Sequence, residues 1–238
     1  MFLKRIIKDE FALISLFFPS KKGISVLMYH SVAHNNVFFT VKPEMFEKQM
    51  RYLKNRDYNV IKLSDLVNLL ESNEELPKKT VVLTFDDGFE DNYTNVFPIL
   101  KKYNFPATIF LITGLVNREM NNSQNIPLRI LNWEQIQEMH QSGLIDFQPH
   151  TVNHQEINKE EIINSKKEIE ERLNKKCEFF AYPRGVYNNE IIGILKNNGF
   201  KASRTVENGK INKGDDLFKL KRISINSTTS FIQFKASL

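Results

Sequence analysis

The chain is expected to be α/β, a closed or nearly closed (β/α) barrel of parallel strands, on three observations. From Ile24 onward, short β-branched runs alternate with helical patterns, the signature of repeated βαβ units. The runs number seven and the helical patterns six, a ratio that suits a barrel. Val81 to Phe85 reads as a strand buried on both faces, with none of the polar alternation of a half-solvated strand.

In chain order, a strand over 25–29 precedes a helix over 43–56, and a strand over 59–61 precedes a helix over 64–71. The strand over 80–85 ends in a turn at Gly88 and leads into a helix over 92–102. A strand over 107–112 is followed by a long loop, 114–131, rich in asparagine. The helix over 133–141 has Asn132 three residues before Gln135, a capping-box spacing, and Gly143 where a C-cap belongs. Strands over 145–147 and 179–182 flank a helix over 159–175. A helix over 188–197, closed by Gly199, and a strand over 201–203 complete the set.

With 238 residues and 41% apolar side chains the chain has the length for one large core, and one domain is expected over residues 23–238. Cys177 is the single cysteine, which excludes an intramolecular disulfide, a four-thiolate zinc site and Cys-x-x-Cys redox chemistry. The formal charge of +5 is spread along the chain and no nucleic-acid motif accompanies it, so a membrane surface or an acidic substrate is the expected use of the excess. Residues 1–22 place Phe2, Leu3, Ile6, Ile7, Phe11, Leu13, Ile14, Phe17 and Phe18 at helical spacing, closed by Pro19. This is expected to be an amphipathic helix, either packed on the domain or anchored peripherally at a membrane beside Lys21 and Lys22. Asp9 and Glu10 oppose a cleavable signal peptide, so a cytoplasmic or membrane-peripheral location is expected.

In parallel α/β architectures the site gathers where strands end. The strands deliver His30 after VLMY, Asp86 and Asp87 after VVLTF, His150 and His154 after LIDFQP, and YPRG after FFA. Two adjacent carboxylates at the end of a core strand repel each other and resist burial, unless a cation is shared between them. Two histidines and one carboxylate suit a catalytic divalent metal because they leave positions open for water and substrate. Of the two aspartates, one then serves as ligand and the other as base.

TFDDGF followed by HTVNH resembles the first two motifs of the polysaccharide deacetylases, the NodB-homology or carbohydrate esterase family 4 proteins. LMYHSV, FPILKKYNFPATIFL, LNWEQIQEMHQSGLIDFQPHT, FFAYPRG and LKRISI extend the resemblance over most of the chain, toward the poly-N-acetylglucosamine deacetylase branch. The resemblance implies a distorted (β/α) barrel of seven strands and metal-dependent hydrolysis of N-acetyl groups from amino sugars of a glycan or lipid-linked precursor. It implies Asp86 as base, Asp87, His150 and His154 as ligands of a divalent ion, with Zn2+ first among the candidates, and an N-acetylated saccharide as partner.

Two motifs depart from the family pattern. No histidine follows His154, where many members place their proton donor; His30 is the expected substitute, with orientation of Asp86 by His30 and return of the proton by Asp86 as alternatives. In AYPRG, Ala181 stands where the family often has the arginine that pairs with the base, and Arg184 stands at the tyrosine position. Tyr182 and Arg184 are therefore expected around substrate and oxyanion, with Arg184 a candidate partner of Asp86. Asp146 is expected to orient Arg184 or a ligand histidine from behind. Arg222 in KLKRISI could line the site, with a surface or salt-bridged arginine as the default reading. An idle carbohydrate-binding barrel and an amide hydrolase of small molecules are the competing readings.

Overall fold

The computed structural model describes residues 22–121 and 125–238, together with Asp9. Eight parallel strands form the central sheet: β1 (Ser25–Tyr29), β2 (Asn59–Ile61), β3 (Thr80–Asp87), β4 (Ala107–Leu111), β5 (Ile145–Pro149), β6 (Phe179–Ala181), β7 (Ala202–Asn208) and β8 (Leu220–Ser224). Seven of them make the wall of a nearly closed barrel in the order β6–β7–β8–β1–β3–β4–β5. The remaining strand, β2, pairs only the first residues of β3, whose later residues pair β4. The wall thus includes β8, which the sequence reading omits, and the 59–61 strand stands outside the main order.

The helices are α1 (Pro43–Asn55), α2 (Leu63–Glu71), α3 (Phe97–Tyr103), α4 (Trp133–Gln141), α5 (Lys159–Leu173), α6 (Asn189–Asn197) and α7 (Phe231–Ala236). The helix expected from residue 92 begins instead with a wide π-type turn, Asn92–Val96, because Pro98 in the next turn has no N–H to give. The Asn132–Gln135 capping box forms at α4, and Asn158 and Asn188 cap α5 and α6 by accepting from the backbone N–H three residues on. The expected 114–131 loop contains an antiparallel hairpin, Glu119–Asn121 with Pro127–Arg129. Among the described residues no helix is long and apolar enough to cross a membrane. The helix expected over residues 1–22 lies outside the described residues, apart from Asp9 and Lys22.

The pleat sorts each strand into two rows. Leu27, Tyr29, Leu83, Phe85, Ile109, Leu111 and Phe147 face the helices and pack with Phe46 and Met50 of α1, Phe97 and Leu100 of α3, Ile136 and Met139 of α4 and Ile169 of α5. The alternate positions Val26, Val82, Phe110, Phe179, Ala181 and Leu220 cluster with Leu63, Leu66 and Val67 of α2 and plug the interior. Beyond this plug the inner row turns polar: Thr84, Asp86, Gln148, Arg204 and Arg222 are all buried.

The barrel stays open at one seam, since no backbone ladder joins β5 to β6. Side chains bridge it. The Gln148 Oε1 accepts from the N–H groups of Glu178 and Phe179, at 3.0 Å each, and its Nε2 donates to Asp146, which also holds Lys175.

Candidate active site

Both aspartates of TFDDGF reach the mouth of the barrel. Asp86 lies on the inner row with Val82 and Thr84, and the pleat alone would turn Asp87 the other way. The backbone reverses here, with φ of 73° at Asp87 and 78° at Gly88, and the Asp87 carboxylate returns to the mouth. Gly88 is required twice over: its φ favours glycine, and a Cβ would lie 2.5 Å from Leu111 Cδ1.

His150 leaves β5 directly after Pro149. Its Nδ1–H donates to Ala181 O across the seam at 2.8 Å, which fixes the tautomer and turns the Nε2 lone pair toward Asp87. His154 sits in the following turn at φ 55°. The two Nε2 atoms lie 3.6 and 3.7 Å from one and the same oxygen, Asp87 Oδ1, and the three donor atoms all fall within 4.8 Å of one another. These separations exceed a hydrogen bond.

Nor are the contacts ion pairs. Burial pushes His150 down to about 3 and lowers His154, assisted at His154 by the Arg184 charge, so both rings are neutral at pH 7. Burial, followed by the Asp86 charge, pushes the Asp87 carboxyl up to about 8. Asp87 Oδ1 is buried with no hydrogen-bond partner among the described residues. Two imidazole lone pairs and an orphaned carboxylate oxygen pointing at one spot fit a divalent cation, whose charge would reverse the Asp87 shift.

Asp86 has the opposite electrostatics, and Arg222 is the reason. Burial raises its pKa, but the guanidinium of Arg222 outweighs that and holds it at about 2. The contact is a bidentate fork, Nη1 to Oδ1 at 2.6 Å and Nη2 to Oδ2 at 2.7 Å, with Nε donating to Thr205 O at 3.0 Å. Arg222 has no exposed surface. It arrives from β8: KLKR looks like a solvated stretch, yet the pleat sends Leu220 and Arg222 inward and Lys221 outward, so the arginine expected to be salt-bridged or site-lining is buried in an ion pair whose partner the sequence did not name. The alternation itself was the available signal.

The other expected residues divide. His30 lines the cleft with Asp86, Asp87, His150 and His154, its ring 5.4 Å from that of Phe39. Burial lowers its pKa, its Nδ1 has no hydrogen-bond partner among the described residues, and the bonds of the Asp86 carboxylate go to Arg222. Arg184 is exposed on the cleft wall and does not pair with Asp86; Arg222 occupies both carboxylate oxygens. The Tyr182 hydroxyl turns away from the cleft, donating to Phe218 O and accepting from Ser203, while its N–H donates to Arg204 O. Asp146 holds Lys175 and Gln148, and among the described residues it bonds neither Arg184 nor a histidine. It sits at the level of Thr108 on β4, below the mouth, so its reach ends at the seam.

The cleft encloses about 610 Å3, with Phe39, Leu115, Met120 and Val206 on its walls and Glu119 and Arg184 adding charge. Beside Arg222, the buried Arg204 guanidinium makes no hydrogen bond among the described residues.

Comparison with known proteins agrees with this geometry. A sequence model of the polysaccharide deacetylase family matches residues 73–203, a span that holds both aspartates and both histidines but neither His30 nor Arg222. The protein YxkH of Bacillus subtilis (strain 168) is 30% identical over 225 residues, 92% of this chain and 76% of that one. The poly-β-1,6-N-acetyl-D-glucosamine N-deacetylase of Staphylococcus epidermidis is 30% identical over 204 residues, 79% of this chain and 69% of that one. Among solved structures, the Streptococcus pyogenes deacetylase PplD, in complex with acetate, superposes with a TM-score of 0.79 at 31% identity, covering 92% of this chain and 99% of that one. IcaB from Ammonifex degensii superposes with a TM-score of 0.82 at 26% identity, covering 92% and 97%. The chain therefore belongs to the polysaccharide deacetylase family and is a hydrolase of non-peptide carbon–nitrogen amide bonds.

Proposed function

We propose that the protein is a metal-dependent deacetylase that removes acetyl groups from N-acetylated amino sugars of a glycan or lipid-linked glycan precursor. The observation that carries this reading is the convergence of Asp87 Oδ1 and the Nε2 atoms of His150 and His154 beside an ionised Asp86. A divalent ion held there, Zn2+ in our reading, supplies Lewis acidity toward water and toward the acetamide carbonyl.

The chain's own residues do the rest. Asp86, kept ionised by Arg222, accepts the proton of the attacking water at a carboxylate oxygen. Its low pKa makes it a weak base that gives the proton up readily. In the 182–186 loop, Tyr182, Gly185 and Val186 spend their N–H groups on backbone carbonyls and Pro183 has none, which leaves Arg184 N–H to donate to the oxyanion. His30, neutral at rest, takes the proton on a ring nitrogen and passes it to the departing amine as the carbon–nitrogen bond breaks. The products are acetate and the free amino sugar. The names of the relatives support an N-acetylglucosamine polymer as substrate. Peripheral membrane association through residues 1–22 is part of the proposal, and failure of the full chain to float with anionic vesicles removes it.

An acetate-release assay on N-acetylglucosamine oligomers tests the reading. Activity should vanish with chelator, return with metal, and fall at least about 100-fold in Asp86→Asn while metal still binds. Acetate release that survives chelation, or none from any N-acetylated glycan, overturns it.

A further inference from the structure

The turn that carries His154 is held by a residue outside it. Thr151 has φ 69° and His154 has φ 55°. Left-handed backbone is costly for a β-branched threonine, and such residues persist only where their surroundings over-determine them. From below, Thr113 N–H and Gly114 N–H donate to Thr151 O and Val152 O. Gly114 leaves no slack, since a Cβ there would meet Val152 O at 2.7 Å.

From outside, Glu161 closes the clamp. Its Oε2 accepts from the N–H groups of Val152 and Asn153 at 2.9 and 2.8 Å, and its Oε1 accepts from Asn153 Nδ2 at 2.8 Å. Thr151 Oγ1 then accepts from His154 N–H at 3.0 Å. Glu161 stands three residues after the cap Asn158, where a glutamate ordinarily reaches back to the cap's own N–H. Gln135 does so at α4, but at α5 both Glu161 oxygens go to the histidine turn instead.

We propose that Glu161 is a positioning residue for His154, fixing the turn so that its Nε2 stays in reach of the ion. The inference rests on the reading of Asp87, His150 and His154 as a metal site. An imidazole in a half-exposed turn has other rotamers and other hydrogen-bond partners in water, so without the clamp the third ligand pays ordering entropy on binding.

Co2+ titration of the metal-free full chain, followed by visible absorption and chelator competition, tests this in wild type, Glu161→Ala, Glu161→Gln, Gly114→Ala and His154→Ala. Glu161→Ala should lower Co2+ affinity about 10-fold or more and alter the absorption band. Glu161→Gln should restore both, because an amide oxygen accepts the same two backbone N–H groups and Asn153 turns its own oxygen to the new NH2. Gly114→Ala loosens the same turn from beneath and should weaken binding even if Glu161→Ala folds poorly. Wild-type affinity in Glu161→Ala and Gly114→Ala overturns the proposal, as does a Gln variant no better than Ala. If wild type binds no Co2+ and matches His154→Ala, the metal reading itself fails instead.

Discussion

Replacing Arg222 by methionine removes a guanidinium with no exposed surface and strands Asp86, which is 3% exposed. Four bonds go: the two fork contacts at 2.6 and 2.7 Å, the 3.0 Å bond to Thr205 O and a long one to Thr84 Oγ1 at 3.5 Å. Breaking a buried pair by deleting one partner costs about 3–5 kcal/mol. For a chain of this size each kcal/mol moves the melting midpoint by about 2–4 °C, so a fall of roughly 6–20 °C is expected. Asp87 provides an internal comparison, because the neighbouring buried carboxyl, which feels the Arg222 charge but is not forked by it, is pushed up to about 8 by burial and by Asp86. Asp86 with its fork lies at about 2. The depressed carboxyl contributes stability that is present above its ordinary value of 3.8 and lost as pH falls through about 2. Without the fork the shift changes sign, so the deficit of Arg222→Met should be largest at neutral pH, shrink as pH falls toward 3.8 and shrink further toward about 2. Thermal melts of metal-free protein from acid to neutral pH measure this. Asp86→Asn/Arg222→Met, which strands no charge, should melt above Arg222→Met alone. A deficit under about 2 °C, or one that does not shrink in acid, refutes the reasoning.

Metal binding at pH 7 should release close to one proton, from Asp87 at about 8, while His150 at about 3 is already neutral and His154, lowered from 6.5, adds only a minor fraction. Calorimetry in two buffers of different ionisation enthalpy reads the number, and zero protons would contradict the assignment. Arg204→Met should raise the melting midpoint, because it removes an unpartnered buried cation beside Arg222; replacing buried ions by apolar side chains contributes up to about 1–4 kcal/mol. A lower midpoint counts against that view. Tyr182→Phe should cost only about 0.5–1.5 kcal/mol, because Ser203 Oγ keeps its own bond to Phe218 O, and leave kcat within about twofold. A tenfold fall in kcat would return Tyr182 to the cleft.

What the sequence made legible lies where chemistry and local signals coincide. Asp86, Asp87, His150 and His154 all follow strand ends marked by Gly88 or Pro149, so strand period and turn chemistry suffice to gather them. Arg222 is 136 residues from Asp86, and an ion pair across that separation leaves no local trace. The same blindness hid β8, a strand whose inner row carries a buried charge, so composition argues against it while the pleat requires it. Asp146 illustrates the complementary limit: its place on β5 was foreseeable, but the Lys175 and Gln148 partners across the seam depend on where the barrel fails to close. Arg184 is a third case, displaced from Asp86 because that carboxylate is already fully engaged.

The arginine that arms Asp86 also imposes an order on biosynthesis. A ribosome has made all three candidate metal ligands once residue 154 is out, whereas the guanidinium emerges 68 positions later on the last wall strand. Until β8 has paired with β1, Asp86 lacks its arginine. Closing the wall and setting the base are thus one event, because the strand that completes the pairing with β1 also carries the guanidinium to Asp86.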